Sequence, residues 1–339
     1  MNAPHPLPAP EAAVPRPRTR PWVAALRVVL GGALVAFVLS RSGAAAGDAL
    51  GRLLGAPFVL VVLFTLPFLG NVLEAARLVV LVDALGIRLR LLPTCGVVAV
   101  ASLFNYAIPG GTGGDVMKLY YVGREHRGRL IETATALLAD RATALFTLLL
   151  VILGLAALDP GTVAGQPVLQ LLVAGSAFGT VALAGLALLS TSQRLRATRL
   201  YAWVTTRAPL HRHLARLGDA ILAFGARPSA IFGAMGLCVV GHLLLVWVFV
   251  LLGRVVVPDV PAATVGLLAL LGMLANAIPV TPGGLGVGEV AFERLFHLVG
   301  ASGGAFLMVA WRVGMIPIAL TGFAVYASGL SGITREART

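Results

Sequence analysis

Charged side chains are scarce in this sequence. They make up 12% of its 339 residues, against roughly 25% in a soluble domain. Hydrophobic residues make up 58%, and the mean hydropathy is +0.92. A soluble protein of this length has too little interior to hide so much apolar surface. The shortage of charge therefore excludes an ordinary soluble domain and predicts an all-α integral membrane protein, because helices satisfy their own backbone hydrogen bonds in lipid.

Cysteine and acidic residues are also few. The two cysteines, Cys95 and Cys238, both lie in apolar runs, and their spacing indicates neither a disulfide framework nor a metal site. Lys and Arg exceed Asp and Glu, 26 to 14. Since no aromatic-basic platform accompanies this excess, it indicates arginine-rich cytoplasmic loops rather than nucleic-acid binding. We expect no metal and no cofactor.

Long apolar runs are what the sequence does have. A run of about 20 residues can span a bilayer as a helix. The first run is interpreted as a retained helix, although the three alanines after it also resemble a signal-peptide cleavage site. The runs occupy 22–40, 57–86, 93–108, 132–158, 167–190, 229–253, 261–279 and 304–330.

Three polar segments frame these runs. Residues 1–21 are rich in Pro and Arg and predict a disordered cytoplasmic tail, and 335–339 form a second cytoplasmic tail. The segment 191–228 alternates arginines with leucines and predicts an amphipathic helix on the cytoplasmic leaflet. A solvated linker is the alternative for this segment.

Two of the apolar runs, 93–108 and 261–279, end in clusters of proline and glycine. A moderately apolar helix follows each cluster, at 115–124 and 287–299. A helix, a break and a second helix predict a re-entrant hairpin, here over 93–124 and 261–299, and non-helical backbone at that depth must be buried or line a cavity. The residues expected to shape these breaks are Pro109, Gly110, Gly111, Gly113, Gly114, Pro279, Pro282, Gly283, Gly284 and Gly286.

The two clusters are offset by 170 residues, half the chain, which indicates an internal repeat over 22–160 and 161–334. When both termini are placed inside, 18 basic residues fall on the inner side and 3 on the outer side. The two halves then have opposite orientations. Inverted repeats with broken helices are typical of secondary transporters, whose site lies near the midplane between the repeats.

The loops 105–118 (NYAIPGGTGGDVMK) and 276–289 (NAIPVTPGGLGVGE) resemble the two signature loops of the lysylphosphatidylglycerol synthase transmembrane-region family, also called flippase-like proteins. The resemblance implies lipid handling in a bacterial inner membrane. Two-domain members pair this region with a soluble synthase domain. Because the chain stops at Thr339, we expect a stand-alone member without that domain, which therefore does not synthesise the lipid and is not an enzyme.

Ionisable residues inside apolar runs are costly, so they are candidates for the site. Asn71, Glu74 and Arg77 follow one another at intervals of three and share one helix face, where Glu74 and Arg77 can pair. The hypothesis is a polar wall along a lipid headgroup path. The alternative is a self-neutralising structural pair.

Arginine at equivalent places in the two halves suggests phosphate binding. Asp140 and Arg141 are adjacent and point in different directions, and Arg312 is the repeat counterpart of Arg141. Two guanidinium groups could converge on one phosphate. The alternative is that each arginine caps carbonyls exposed at the opposing break.

The remaining candidates lie beside the breaks. Asp115 is expected to cap a helix, while Glu289 is harder to explain as a cap and is a candidate for binding a proton or cation. Lys118 either holds an anionic headgroup or snorkels to the interface. Asn105 and Asn276 are expected to satisfy backbone groups freed by the breaks.

Three functions stay open on this sequence. The first is a flippase or transporter for an anionic phospholipid or a polyprenyl-linked precursor, with membrane lipids as its partners. The second is a membrane-embedded enzyme on lipid phosphates. The third is a non-transporting partner of a cell-envelope glycosyltransferase.

Overall fold

The computed structural model describes residues 47–107, 113–126, 128–191, 224–278, 281 and 284–329. The predicted helix 22–40, both tails and most of the predicted amphipathic segment 191–228 lie outside the described residues. So do six of the residues expected to shape the breaks: Pro109, Gly110, Gly111, Pro279, Pro282 and Gly283.

The described part is helical and contains no strand. A short helix at 47–54 comes first. The helices that follow in the first half are α1 (Pro57–Ala84), α2 (Leu91–Ala107), α3 (Gly113–Glu125), α4 (Leu130–Leu158), α5 (Pro160–Ala164) and α6 (Pro167–Thr191). Those of the second half are α7 (Pro228–Val256), α8 (Ala262–Asn276), α9 (Val287–Leu298), α10 (Gly304–Gly314) and α11 (Ile316–Ser328).

Proline marks where several of these helices begin. Pro57, Pro160, Pro228 and Pro317 each lie in the first two positions of a helix, where the missing N–H has no intrahelical partner to lose. Pro317 also explains a difference from the sequence prediction. The run 304–330 is divided into α10 and α11 at Met315, two residues before this proline.

Five helical segments are long and apolar enough to cross a membrane. Helix α6 is covered least by the rest of the protein, and it leaves large apolar side chains such as Leu171, Phe178 and Val181 exposed. Exposing such an apolar surface to water is unfavourable, whereas contact with lipid is not. The chain is therefore a multi-pass membrane protein. The five segments are 57–84, 130–158, 167–188, 228–256 and 304–328.

The two short apolar runs form helices of the expected length. Helices α2 and α8 end at Ala107 and Asn276, and each packs against the short helix that follows it, α3 or α9. The predicted helix–break–helix pattern is confirmed in this respect.

Helices α1 and α7 pack along each other at the centre of the bundle. Around them lie two apolar clusters. One is built on α7, α8, α9 and α10, where the rings of Phe249 and Phe292 lie 5.2 Å apart between centroids. The other joins α1, α2, α3 and the start of α4. The polar residues described next lie where α1 faces α4 and α7.

Candidate functional site

A cavity of about 220 Å³ lies between α1 and α7. Asn71, Glu74 and Arg77 of α1 all line it, which confirms that these three residues share one face. Most of the other lining residues are apolar. The cavity therefore combines a polar strip with an apolar wall, as an amphipathic ligand requires. The lining also includes Ser102 of α2, Cys238 and His242 of α7 and Trp311 of α10.

Arg77 bonds to Asp140 of α4, which is buried. Its guanidinium donates from Nη2 to Oδ2 at 2.9 Å and from Nε to Oδ1, so the pair is bidentate. Nη1 donates to Sγ of Cys238 at 3.0 Å. The predicted pairing of Arg77 with Glu74 is wrong, because Asp140 lies across from Arg77 and offers both carboxylate oxygens.

Glu74 bonds instead to Lys118 of α3. The Lys118 side chain is buried, with 3% of the residue exposed, so snorkelling to an interface is also a wrong expectation. Nζ of Lys118 lies 3.9 Å from Oδ1 of Asp115, and Oδ2 of Asp115 accepts a hydrogen bond from Nε of Arg141 at 2.6 Å. These contacts join α1, α3 and α4 in one network of charged groups.

Asp140 and Arg141 point in different directions, as expected for neighbours in a helix. Asp140 is buried against Arg77, whereas the side chain of Arg141 is 50% exposed. Arg141 is the most exposed of the three cations in the network of Arg77, Lys118 and Arg141.

Asn71 is held by one hydrogen bond. Its Nδ2 donates to the backbone carbonyl of Cys95 at 3.0 Å, and only 9% of the residue is exposed. Its Oδ1 is buried and has no hydrogen-bond partner within the described residues. Since buried polar atoms are nearly always bonded, this atom needs an explanation.

Cys238 and His242 belong to the cavity, although the sequence reasoning gave neither a role. They are four residues apart on α7 and so share one face, which was the available signal. Nε2 of His242 lies 3.0 Å from the backbone carbonyl of Ala144, and a carbonyl only accepts, so Nε2 carries the proton. Neither residue has an acidic or basic neighbour in sequence that would have drawn attention to it.

In the second half, Arg312 joins both sides of the break. Its Nε donates to Oε1 of Glu289 at 2.6 Å, and its Nη2 donates to Oδ1 of Asn276 and to the carbonyl of Gly284, both at 2.9 Å. The carbonyl of Gly284 belongs to the break in the same half of the chain as Arg312. Gly284 and Gly286 have φ angles of +68° and +82°, which favour glycine.

Glu289 acts as a cap. It is fully buried, and its Oε2 accepts a hydrogen bond from the backbone N–H of Gly286 at 2.7 Å, at the start of α9. This is the role that the sequence reasoning did not favour. Within the described residues, no three His, Cys, Asp or Glu side chains lie close enough together to hold a metal ion.

Equivalent contacts recur in the two halves. The pairs Asp115–Arg141 and Glu289–Arg312 both join a carboxylate oxygen to Nε at 2.6 Å. In the first half Oδ1 of Asn105 accepts the backbone N–H of Gly114 at 2.8 Å, which confirms the role expected of Asn105. Asn276 differs, because the hydrogen bond that its Oδ1 accepts comes from the guanidinium of Arg312.

A sequence model of the family described as "Lysylphosphatidylglycerol synthase TM region" matches residues 23–322 of the chain. No curated protein and no solved structure matches it.

Proposed function

This chain belongs to the lysylphosphatidylglycerol synthase transmembrane-region family, and we propose that it moves an anionic phospholipid or a polyprenyl-linked precursor across a bacterial inner membrane. The cavity between α1 and α7, with the ion-pair network at its side, is the observation that carries this proposal.

The network keeps six charged side chains inside a membrane protein at a cost that an inert scaffold would avoid. Its three cations and three carboxylates balance, so the resting state carries no net charge there. Replacing such pairs with apolar residues often leaves stability unchanged or improves it. A role in ligand handling accounts for charges that stability alone does not require. The members are Glu74, Arg77, Asp115, Lys118, Asp140 and Arg141.

A lipid phosphate can enter this network by taking the place of a carboxylate. Arg141 is half exposed, and a guanidinium group binds phosphate as well as it binds a carboxylate. The carboxylate that such a phosphate replaces is Asp115, which bonds to Arg141 and has a side chain that is 25% exposed. Exchange of one anion for another leaves the buried charge balanced during transport.

The lipid tail needs an apolar route beside the headgroup. Leu66, Leu237 and Leu245 line the same cavity as the polar residues of α1. In the proposed mechanism the tail remains on this apolar side while the headgroup follows the polar strip. The paired helices α2–α3 and α8–α9 act as re-entrant hairpins of inverted repeats, and their breaks open the path toward opposite faces.

The test is a leaflet assay in proteoliposomes made of phosphatidylcholine and phosphatidylglycerol. The probe is phosphatidylglycerol with a fluorescent label on one acyl chain, and dithionite destroys the label in the outer leaflet. Protein-free vesicles keep the inner half of the signal, whereas vesicles with wild-type protein should lose most of it. Equal losses in the two preparations would contradict the proposal.

Arg141→Ala should slow this loss, because it removes the exposed cation, while Arg254→Gln should not. Arg254 is an exposed arginine near the end of α7 and lies outside the network, so it is a matched control for loss of positive charge. Mass spectrometry of the recovered probe should find it intact, which separates transport from chemistry on the lipid.

A further inference from the structure

We infer that Asp115 takes up a proton when the headgroup of an anionic lipid binds to Arg141, so that each lipid moves together with one proton. The inference rests on the proposed function, since it concerns the same network of charged groups. It adds a coupling ion and the residue that carries it.

The network is neutral before a ligand binds, because its three cations and three carboxylates balance. A phosphodiester headgroup adds one negative charge, which would leave four anions facing three cations. An unbalanced charge away from water is costly, and a buried group avoids that cost by changing its protonation state. A proton bound to one of the carboxylates restores the balance.

Asp115 loses its arginine when a phosphate binds, but it stays in the network. Its Oδ2 accepts a hydrogen bond from Nε of Arg141 at 2.6 Å, and this is the contact that the phosphate replaces. Asp115 lies in the first turn of α3, three residues before Lys118, and its Oδ1 is 3.9 Å from Nζ of that lysine. The displaced carboxylate therefore remains beside the other charges.

The other two carboxylates keep their cations. Asp140 is bonded at both oxygens by Arg77. Glu74 bonds to Lys118, which is buried, so a proton on Glu74 would leave that cation without its bonded anion. A proton on Asp115 instead leaves each cation with one anion, because the third cation now has the phosphate.

The charged groups around Asp115 favour its neutral form once the phosphate is bound. Lys118 of the same helix is shared with Glu74 of α1. On α4, Arg141 is then bonded to the phosphate, and Asp140 is neutralised in its own pair. Helix α2 also packs against α3, and its sequence contains no charged residue. The phosphate thus adds a negative charge near Asp115 and removes its strongest cationic contact.

The step is a proton transfer and changes no bond of the lipid. A proton from solution adds to the carboxylate of Asp115 as the phosphate displaces it, and the neutral acid forms. When the lipid leaves, Arg141 bonds to Asp115 again and the proton returns to solution. The empty and the loaded network are both neutral, so the coupled movement carries no net charge across the membrane.

The experiment measures proton uptake when a lipid binds to the purified full-length protein. Two soluble probes with one ionised phosphodiester each are used, dioctanoyl phosphatidylglycerol and geranyl phosphoglucose. The detergent is dodecyl maltoside, which does not titrate. Calorimetry in two buffers with different enthalpies of ionisation gives the number of protons bound per lipid.

Wild-type protein should take up about one proton for each molecule of at least one probe, within a range from about pH 5 to about pH 8. Its affinity should fall by up to about tenfold for each pH unit as the pH rises, as linkage to one proton requires. The probe that shows the uptake identifies a phospholipid or a polyprenyl-linked sugar as the ligand. No uptake with either probe would overturn the inference.

Asp115→Asn replaces the carboxylate with a neutral amide of the same size. It should bind the probe without proton uptake, and at about pH 8 it should bind more tightly than wild type does. Asp259→Asn is the matched control, since Asp259 is exposed in the connection between α7 and α8 and lies outside the network. It should keep the uptake. Uptake that persists in Asp115→Asn would also overturn the inference.

Proteoliposomes test the coupling itself. A pH difference across the membrane should drive labelled phosphatidylglycerol toward the less acidic side in vesicles with wild-type protein, beyond any movement in vesicles with Asp115→Asn. A voltage set by potassium and valinomycin should have no effect on this movement, because the loaded network is neutral. A response to voltage but not to the pH difference would contradict the inference.

These measurements separate the two proposals. Proton uptake on binding together with no movement in proteoliposomes would support the role of Asp115 and contradict transport. Movement of lipid without uptake and without a response to the pH difference would do the reverse.

Discussion

Glu289 and Arg312 are 23 positions apart and form an ion pair that is almost completely covered by the protein, with 2.6 Å between Oε1 and Nε. Asp115 and Arg141 form the same contact in the first half at the same distance, but there the arginine is half exposed. One contact therefore occurs in two environments. The buried copy closes the break before α9, and the exposed copy belongs to the network of charged groups beside the cavity.

This difference predicts unequal effects of removing each carboxylate charge. Glu289→Gln should lower stability by about 3–5 kcal/mol, because it leaves Arg312 buried without its counter-charge. Asp115→Asn should cost no more than about 1 kcal/mol, as for an exposed pair. Thermal unfolding of the two purified variants in detergent measures both. Equal losses of stability in the two variants would contradict the expectation that the buried pair contributes more than the exposed one.

Arg77 and Asp140 should show strong coupling. Arg77→Met and Asp140→Leu each leave one buried charge unpaired and should each destabilise by about 3–5 kcal/mol. The double variant should lose clearly less than the sum of the two, because neither charge remains. Chemical unfolding of the four proteins gives the coupling energy. Additive losses would contradict the bidentate contact.

Gly322 of α11 should tolerate no side chain. A Cβ added there would lie 2.1 Å from the backbone carbonyl oxygen of Ala99 in α2, so Gly322→Ala forces the two helices apart. We expect a loss of about 1–3 kcal/mol. Gly154→Ala in α4 is the control, since its Cβ would meet nothing within 4 Å. It should leave the melting temperature unchanged or raise it, because alanine favours helix.

Asp159, in the short connection between α4 and α5, should make stability depend on pH. Hydrogen bonds from the hydroxyl of Thr264 and from Thr162 lower the pKa of its carboxyl group below the ordinary 3.8. A lowered folded-state pKa stabilises the protein above the ordinary value, and this contribution is lost as the pH falls through the lowered one.

Thr264→Val removes the first of these bonds. Its melting temperature should therefore lie below that of wild type near neutral pH. The difference should shrink as the pH falls below 3.8 toward the lowered pKa of Asp159, because the carboxyl group is protonated in that range. Melting curves across this range test the expectation. A difference that does not shrink toward low pH would show that Thr264 contributes by packing alone.

The positions of the helices were predictable from local composition. The predicted runs 132–158 and 229–253 correspond to α4 and α7, and their ends differ by no more than three residues. The agreement is close because the hydropathy of a segment and its prolines are properties of that segment alone. At 304–330 the predicted apolar span was confirmed, but its division at Met315 was not predicted, because Pro317 was not taken into account. The sequence also placed Asn71, Glu74 and Arg77 correctly on one helix face, because helical periodicity is a local property.

The partners of the charged residues could not be predicted from local composition. Glu74 and Arg77 are neighbours in sequence, which made their pairing the simplest interpretation, yet each bonds to a residue on another helix. Lys118 lies 44 positions from Glu74, and Asp140 lies 63 positions from Arg77. Such contacts depend on how helices pack, which the periodicity of one helix does not specify.

The amino-acid sequence by itself determined that this chain is a multi-pass membrane protein with two interrupted helical pairs, because the scarcity of charge, the long apolar runs and the proline–glycine clusters act locally. Only the tertiary structure decided which charges neutralise one another, which of the two arginine–carboxylate pairs is buried, and that α1 and α7 enclose a cavity. Those properties arise where separate helices meet, since electrostatic and hydrogen-bonding energies depend on distance in space rather than along the chain.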